Sequence, residues 1–349
     1  VIPLDGRRVA ILGGAGFIGH HLALELARLG AEVRVVDSLQ INNMLAIATD
    51  EHFRPHRDLY SRMVNERLSL LEVARVPVMI QDARDYHALA RILGDFSPHA
   101  IVHAAAVSHA GRSNKDPFAT FDHSLRTLEN ALDCARSTDL ACEQFIFLSS
   151  SMVYGNFLTP EVDEDHPLNS IGIYGALKVA GEKIVIAYQQ VFDLPYTIIR
   201  PSALYGPRCV SRRVGQVFIE NAIQGKSLQL DGDGSDRLDF TYIDDLVQGI
   251  QLALQEPRAL NQTFNMTYGD AHTISEVASI VQNAFPQIDL EHSERDRLMP
   301  ARGTLSIQKA RELLGYEPKN PIEIGFPKYI DWYRQLFELN VLPGTEVLA

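Results

Sequence analysis

The sequence predicts an α/β protein: a doubly wound parallel sheet with helices on both faces, followed by a smaller C-terminal α/β lobe. Three observations predict it. Short apolar runs alternate with amphipathic stretches through the first half of the 349 residues, the texture of strands joined by helical crossovers. A glycine cluster separates the first run from the first amphipathic stretch, and an aspartate closes the second run.

Taken in order, Val9-Ala10-Ile11-Leu12 is the first strand. From Phe17 to Leu29, apolar residues recur at 18, 22, 26 and 29 and stop at Gly30, a helical stripe with its terminator. Glu32 to Val36 is the second strand. Further strands are expected at Val78-Met79-Ile80, Ala100-Ile101-Val102, Phe145-Ile146-Phe147-Leu148 and Tyr196-Thr197-Ile198-Ile199, with long helices over residues 116–136 and 174–192. Parallel strands require such crossovers. After Arg200-Pro201 the elements shorten, and residues 200–237 hold six basic against four acidic side chains. That change marks a second lobe. The expected division is 1–199 with 241–267 returning to it, 200–240 with 268–340, and a loose tail over 341–349. Residues 39–74 form a long excursion between the second and third strands, readable as a packed excursion or oligomer contact, or as a lid over the cofactor or substrate.

A formal net charge of −12 argues against sequence-independent nucleic-acid binding, which needs a basic face. It leaves room for a small anion in a cleft lined by a few arginines. Cys134, Cys142 and Cys209 are odd in number and scattered, so a disulfide framework is not expected and a reducing, cytoplasmic setting is. No metal-binding Cys pair occurs. The first residues lack the apolar run of a signal peptide, and no uncharged 18-residue stretch offers a membrane span.

Gly13-Gly14-Ala15-Gly16-Phe17-Ile18-Gly19 follows the first strand and opens the first helix. Glycines there let the backbone turn tightly and approach a pyrophosphate, and the helix N-terminus offers it unpaired N–H groups. Asp37, at the tip of the second strand, is placed to accept both adenosine ribose hydroxyls and to repel a 2′-phosphate. No arginine follows it directly (Ser38, Leu39, Gln40), so the cofactor expected is NAD rather than NADP. Asp82, followed by Ala83, would sit beside the adenine, or cap the helix that follows. The small residues Ala104, Ala105 and Ala106 would let a flat cofactor lie against the backbone.

Of twelve tyrosines only Tyr174 has a lysine, Lys178, four residues on, where a helix puts both on one face. A free phenol with pKa about 10 is a poor base at neutral pH, and lowering it to about 7 takes roughly 4 kcal/mol. One positive charge at about 4 Å supplies roughly that at an effective dielectric of about 20. Such a phenolate can take a proton from a sugar hydroxyl while hydride leaves the same carbon for nicotinamide. Ser149-Ser150-Ser151 ends the fifth strand beside the same cleft, and Ser150 is the serine expected to contact substrate.

Together these residues resemble the extended short-chain dehydrogenase/reductase family, in its NAD-dependent nucleotide-sugar epimerase/dehydratase branch (UDP-glucose/galactose 4-epimerase-like). The likeness runs from about Arg8 to Trp332. It rests on GGAGFIG at 13–19, Asp37, Asp82, HAAA at 103–106, SSSMVYG at 149–155, YGALK at 174–178, RPSALYGPR at 200–208, DGDGSDRLDFTYIDD at 231–245 and LLGYEP at 313–318. The resemblance implies a Rossmann lobe, a smaller lobe holding the nucleotide diphosphate, a homodimer through two long helices, and a transient 4-keto sugar made with tightly held NAD. It implies Ser150, Tyr174 and Lys178 as catalytic residues. It adds Pro201 to the cofactor contacts, and Ser108, Arg208, Arg237 and Arg302 to the substrate contacts. The 4,6-dehydratases carry Asp-Glu after the catalytic hydroxyl and the decarboxylases a glutamate; here Ser151-Met152 stand there. Epimerisation, most simply at C4, is therefore the leading expectation, with a 4-ketoreductase, dehydrogenase or dehydratase as alternatives and a non-catalytic NAD-binding redox sensor as a distant one. Three departures from the family pattern are visible. Arg200-Pro201-Ser202-Ala203 replaces Arg-x-x-Asn, His123 replaces the cofactor-side asparagine, and Leu238, after Arg237, replaces the arginine before Asp-Phe. Diphosphate binding then falls to Arg208, Arg212, Arg237, Arg297 or Arg302.

Overall fold

A computed structural model describes residues 1–107, 110–140, 142–296 and 298–338. The first part alternates strands and helices: β1 (Arg8–Leu12), α1 (Phe17–Arg28), β2 (Glu32–Asp37), α2 (Met44–Thr49), α3 (Arg57–Val73), β3 (Val78–Ile80), α4 (Tyr86–Phe96), β4 (Ala100–His103), α5 (Ala110–Lys115), α6 (Pro117–Phe121), α7 (Thr127–Ala135), β5 (Gln144–Leu148), β6 (Glu161–Val162), α8 (Gly172–Phe192) and β7 (Tyr196–Arg200). The remainder is shorter-grained: β8 (Leu204–Tyr205), α9 (Val214–Ile223), β9 (Leu228–Asp231), β10 (Arg237–Asp239), β11 (Thr241–Tyr242), α10 (Ile243–Gln255), β12 (Gln262–Asn265), β13 (Ala271–Thr273), α11 (Ile274–Ala284), β14 (Leu290–Ser293), β15 (Thr304–Leu305), α12 (Gln308–Leu314) and α13 (Ile322–Glu338).

Seven strands form one parallel sheet in the order β12-β7-β5-β4-β1-β2-β3. β1 is nearly all buried, as its unbroken apolar run requires of a strand covered on both faces. Strand order reverses at β1, which pairs with both β2 and β4. The crevice beyond the carboxyl ends of β1 and β4 is where such sheets bind ligands. One apolar core, containing Val9, Ile11, Leu22 and Leu26, fills one face and runs without a break into the second part, through Tyr205, Phe326, Tyr329 and Tyr333. The other, with Leu89, Leu128, Phe145 and Val185, lies under α4, α7 and α8.

Three local expectations are revised. The helix expected over 116–136 is not one α-helix: residues Asp122–Arg126 form a π turn between α6 and α7, a form that recurs at functional sites. The N-cap of α4 is Asp85, whose Oδ1 accepts from Ala88 N at 3.0 Å, and not Asp82. The 39–74 excursion is folded: α2 and α3 pack on each other, α3 packs against α1, and Phe53, Tyr60, Met63, Val64 and Leu71 are buried in the core. Ser108, Arg297 and the tail lie outside the described residues. All three cysteines are free thiols. Among the described residues no helix is long and apolar enough to cross a membrane, and no His, Cys, Asp and Glu cluster could hold a metal ion.

Candidate active site

At the carboxyl edge of the sheet lies a cavity of about 910 Å³, its open mouth included. Gly13, Gly16 and Gly19, with Phe17 and Ile18, line its floor. Asp37, Ser38, Asp82 and Ala83 close one end, and Ala104, Ala105 and Ala106 form a side wall. Gly13 takes φ +78°, and a Cβ on it would stand 2.7 Å from Ala105 N. Only glycine allows the loop to lie this close to the alanine wall. The first turn of α1 begins at Gly16 with no side-chain cap, so its N–H groups are left for an anion. Asp37 Oδ1 accepts from Leu39 N at 2.7 Å and Oδ2 from Ala15 N at 3.0 Å, which fixes the carboxylate while leaving lone pairs toward the cavity. Burial pushes its pKa up. This donor and acceptor set fits NAD.

Asp82 is more occupied than the sequence suggested. Arg84 grips it through Nη2 at 2.6 Å and also reaches Asp122, and Gln40 Nε2 approaches at 3.3 Å. Burial pushes the Asp82 carboxyl up, but the bonds from Arg84 outweigh it and hold the pKa below its ordinary value. His123, from the π turn, lines the same cavity, and burial followed by the charge of Arg84 lowers its pKa.

The residues expected to be catalytic come together at the mouth of β5. Ser150 Oγ accepts from Met152 N at 3.2 Å and caps a short turn over Ser151–Val153. Gly175, the residue after Tyr174, would place a Cβ 2.8 Å from Met152 O, so a glycine is what lets α8 press its Tyr174 end against that turn. The start of α8 is held by Asn114, whose Oδ1 accepts from Ile173 N at 3.1 Å. Lys178 Nζ donates to Leu148 O at 2.6 Å, 4.9 Å over the Phe147 ring and 5.9 Å from the Tyr174 ring centre. Burial drops its pKa to about 8 against the opposing pull of Glu182. Glu182 in turn accepts two bonds from Arg200, at 2.9 and 2.7 Å, and one from Ser149.

The electrostatics of Tyr174 differ from expectation. Burial raises its pKa; the charge of Arg213 and a hydrogen bond with Ser150 act in the other direction. Arg213, which the sequence reading missed in favour of Arg212, lines the cavity. Arg212 instead turns inward toward Tyr60 OH at 3.2 Å and Glu220 at 3.6 Å. Arg302 has a buried Nε without a partner, and burial lowers its pKa to about 10, with Asp236 opposing and Arg213 reinforcing the fall. The remaining expected contacts are elsewhere. Arg208 is corrected: its guanidinium is engaged by Glu66 at 2.9 Å and His20 at 3.0 Å, against α1. Arg237 is exposed and bonds Ala271 O. Pro201 is buried behind the serine turn, its carbonyl accepting from Ser151 N at 2.9 Å, and is not part of the cavity wall.

Known proteins share both sequence and shape with this chain. An uncharacterized UDP-glucose epimerase of Bacillus subtilis is 28% identical over 95% of this chain and 99% of its own. The Thermus thermophilus UDP-glucose 4-epimerase, solved in complex with NAD, superposes with a TM-score of 0.79 at 27% identity, covering 94% of this chain and 99% of that one. A dTDP-glucose 4,6-dehydratase of Streptomyces venezuelae, solved with NAD bound, gives 0.79 at 26% identity over 94% of this chain and 97% of that one. Residues 9–267 match the NAD dependent epimerase/dehydratase family, and the chain belongs to that family.

Proposed function

We propose that the protein interconverts C4 epimers of a nucleotide-diphosphate sugar, with a UDP-sugar as substrate and NAD held throughout. The observation that carries this reading is the grouping of Ser150, Tyr174 and Lys178, tied to the cavity by Arg213 of its wall, whose charge acts on Tyr174, with Ser151 and Met152 buried in the two positions where a dehydratase needs acids. A serine and a thioether can neither protonate a leaving hydroxyl nor remove a neighbouring proton at neutral pH, so nothing at these positions drives elimination.

Bound NAD would accept a hydride from the sugar carbon and give it back. The chain supplies the proton chemistry and the geometry. Tyr174 Oη takes the proton from the sugar hydroxyl and later returns it. The Ser150 hydroxyl, fixed by Met152 N, orients that oxygen. The charge of Arg213 and the hydrogen bond with Ser150 offset the burial that opposes the phenolate, and the Lys178 ammonium lies 5.9 Å from the ring centre. Arg302 and Arg213 face the diphosphate. The loops and short strands of 200–240 and 268–338 form the substrate-binding lobe. The family resemblance supports a homodimer, which sedimentation would test. We place the protein in the cytoplasm. The reaction is tested by incubating it with UDP-, GDP-, CDP- and dTDP-sugars and following C4 configuration by NMR. Stoichiometric consumption of NADH without epimer formation would identify a reductase instead.

A further inference from the structure

The buried stripe of α3 reads Tyr60, Met63, Val64, Arg67, Leu71. A guanidinium occupies a position its neighbours fill with hydrocarbon. Arg67 is 1% exposed, and burying such a group is costly unless its donors and its charge are both answered. The donors are answered by carbonyls from three separate segments. Nε and Nη2 donate to Arg208 O at 3.0 and 2.5 Å, and Nη1 lies 3.4 Å from both Ala15 O, in the glycine loop, and Asn42 O, in the excursion. The charge is not answered by a paired carboxylate among the described residues; Asp37 acts on it only at longer range. Arg67 also stands on the wall of the NAD cavity.

Its neighbour completes the arrangement. Glu66 Oε1 accepts from Arg208 Nη1 at 2.9 Å, so consecutive residues of α3 grip residue 208 by its side chain and by its carbonyl. Arg208 has φ +62°, a left-handed conformation uncommon for a residue with a side chain. From that fixed point the chain continues to Val210, Ser211 and Arg213, which form the cavity wall facing the glycine loop.

We propose that Arg67 is a cofactor-retention residue: its guanidinium gives the dinucleotide's diphosphate a buried counter-charge, and with Glu66 it clamps the 207–213 loop across the cavity. An epimerase consumes no net cofactor, so nothing in its cycle requires exchange, and a nucleotide lost in the reduced form would strand the protein without its hydride acceptor. The proposal rests on NAD as the cofactor and not on the identity of the sugar.

The test compares wild-type protein with Arg67→Met, Arg67→Lys and Glu66→Gln. NAD carried through gel filtration is quantified after acid release, and NAD affinity is measured by calorimetry on stripped protein. Arg67→Met is expected to bind NAD about 10- to 100-fold more weakly, the range for losing a charged hydrogen-bonding partner. Arg67→Lys should recover part of that loss through its charge. Glu66→Gln, which removes only the outer half of the clamp, should speed NAD release. Folded Arg67→Met with wild-type NAD content and affinity overturns the proposal. If Arg67→Met does not fold, unchanged NAD release from both Arg67→Lys and Glu66→Gln overturns it. Wild-type protein that binds no NAD would strike the cofactor assignment itself, a separate result.

Discussion

Replacing Lys178 by methionine should remove turnover and, at the same time, change how the fold responds to pH. The ammonium is 7% exposed, and burial lowers its pKa from 10.5 to about 8. Between those values the unfolded chain binds a proton that the native chain does not, so native stability rises with pH across this window. The difference corresponds to about 3 kcal/mol withheld from the fold at neutral pH, of which about 2 kcal/mol returns by about pH 9.5. Methionine fills similar volume and does not titrate, so its stability lacks this rise. It also leaves Leu148 O without its donor, at about 1–3 kcal/mol, so near pH 7 the two proteins should differ little. Urea unfolding of both cofactor-free proteins at about pH 7, 8 and 9.5 reads the effect as a gap that opens in favour of the wild type as pH rises. A gap independent of pH would show that Lys178 is not held as a depressed, buried cation, and the account of how it serves Tyr174 would fail with it.

Tyr174→Phe removes the proton carrier, and kcat should fall by about 10³-fold or more while NAD content after purification is unchanged; substantial residual epimerisation would take Tyr174 out of its role. Gly13→Ala should cost at least about tenfold in NAD affinity by calorimetry, because the added methyl must push the loop away from Ala105 N while φ remains +78°. Glu182→Gln leaves Arg200 and Lys178 buried with no anion between them, and urea unfolding should show a loss of about 3–5 kcal/mol. That loss should be greater below about pH 8, where Lys178 is charged; a change under about 1 kcal/mol would mean that Ser149 and Tyr154 satisfy the site without it.

Much of the cofactor half was legible because backbone demands are written in residue type. The glycine loop, Asp37 and the alanine wall announce themselves through what they exclude: side chains at 13 and 19, and bulk at 104–106. Tyr174 and Lys178 were legible because helical spacing fixes their common face. The cations around them were not, since an arginine's reach exceeds what sequence position constrains. Arg212 and Arg213 are neighbours, yet Arg212 turns in the left-handed region, φ +51°, and the pair diverge, one into the Glu220 cluster and the other into the cavity. Arg208 looked like a diphosphate ligand, but Glu66, remote in sequence, had already taken its guanidinium. Arg67 did leave a signal that spacing alone could have caught, a charge inside the apolar stripe of α3. The π turn left none, because an i to i+5 bond replaces its α-helical counterpart without any residue type that demands it.

The apolar core that crosses from the sheet face to Tyr205, Phe326 and Tyr333 without interruption bears on how such proteins can be rebuilt. Together with β12, which returns to complete the sheet beside β7, it makes the second part, proposed above to hold the sugar nucleotide, a lateral extension of the same folded body. Exchanging that portion wholesale with a relative's would cut through close-packed aromatics and strip the sheet of its outermost strand. Altered sugar selectivity is therefore to be sought by rewriting the short stretch at 300–304, which lies outside that core, and not the 207–213 loop, whose Val210 belongs to it.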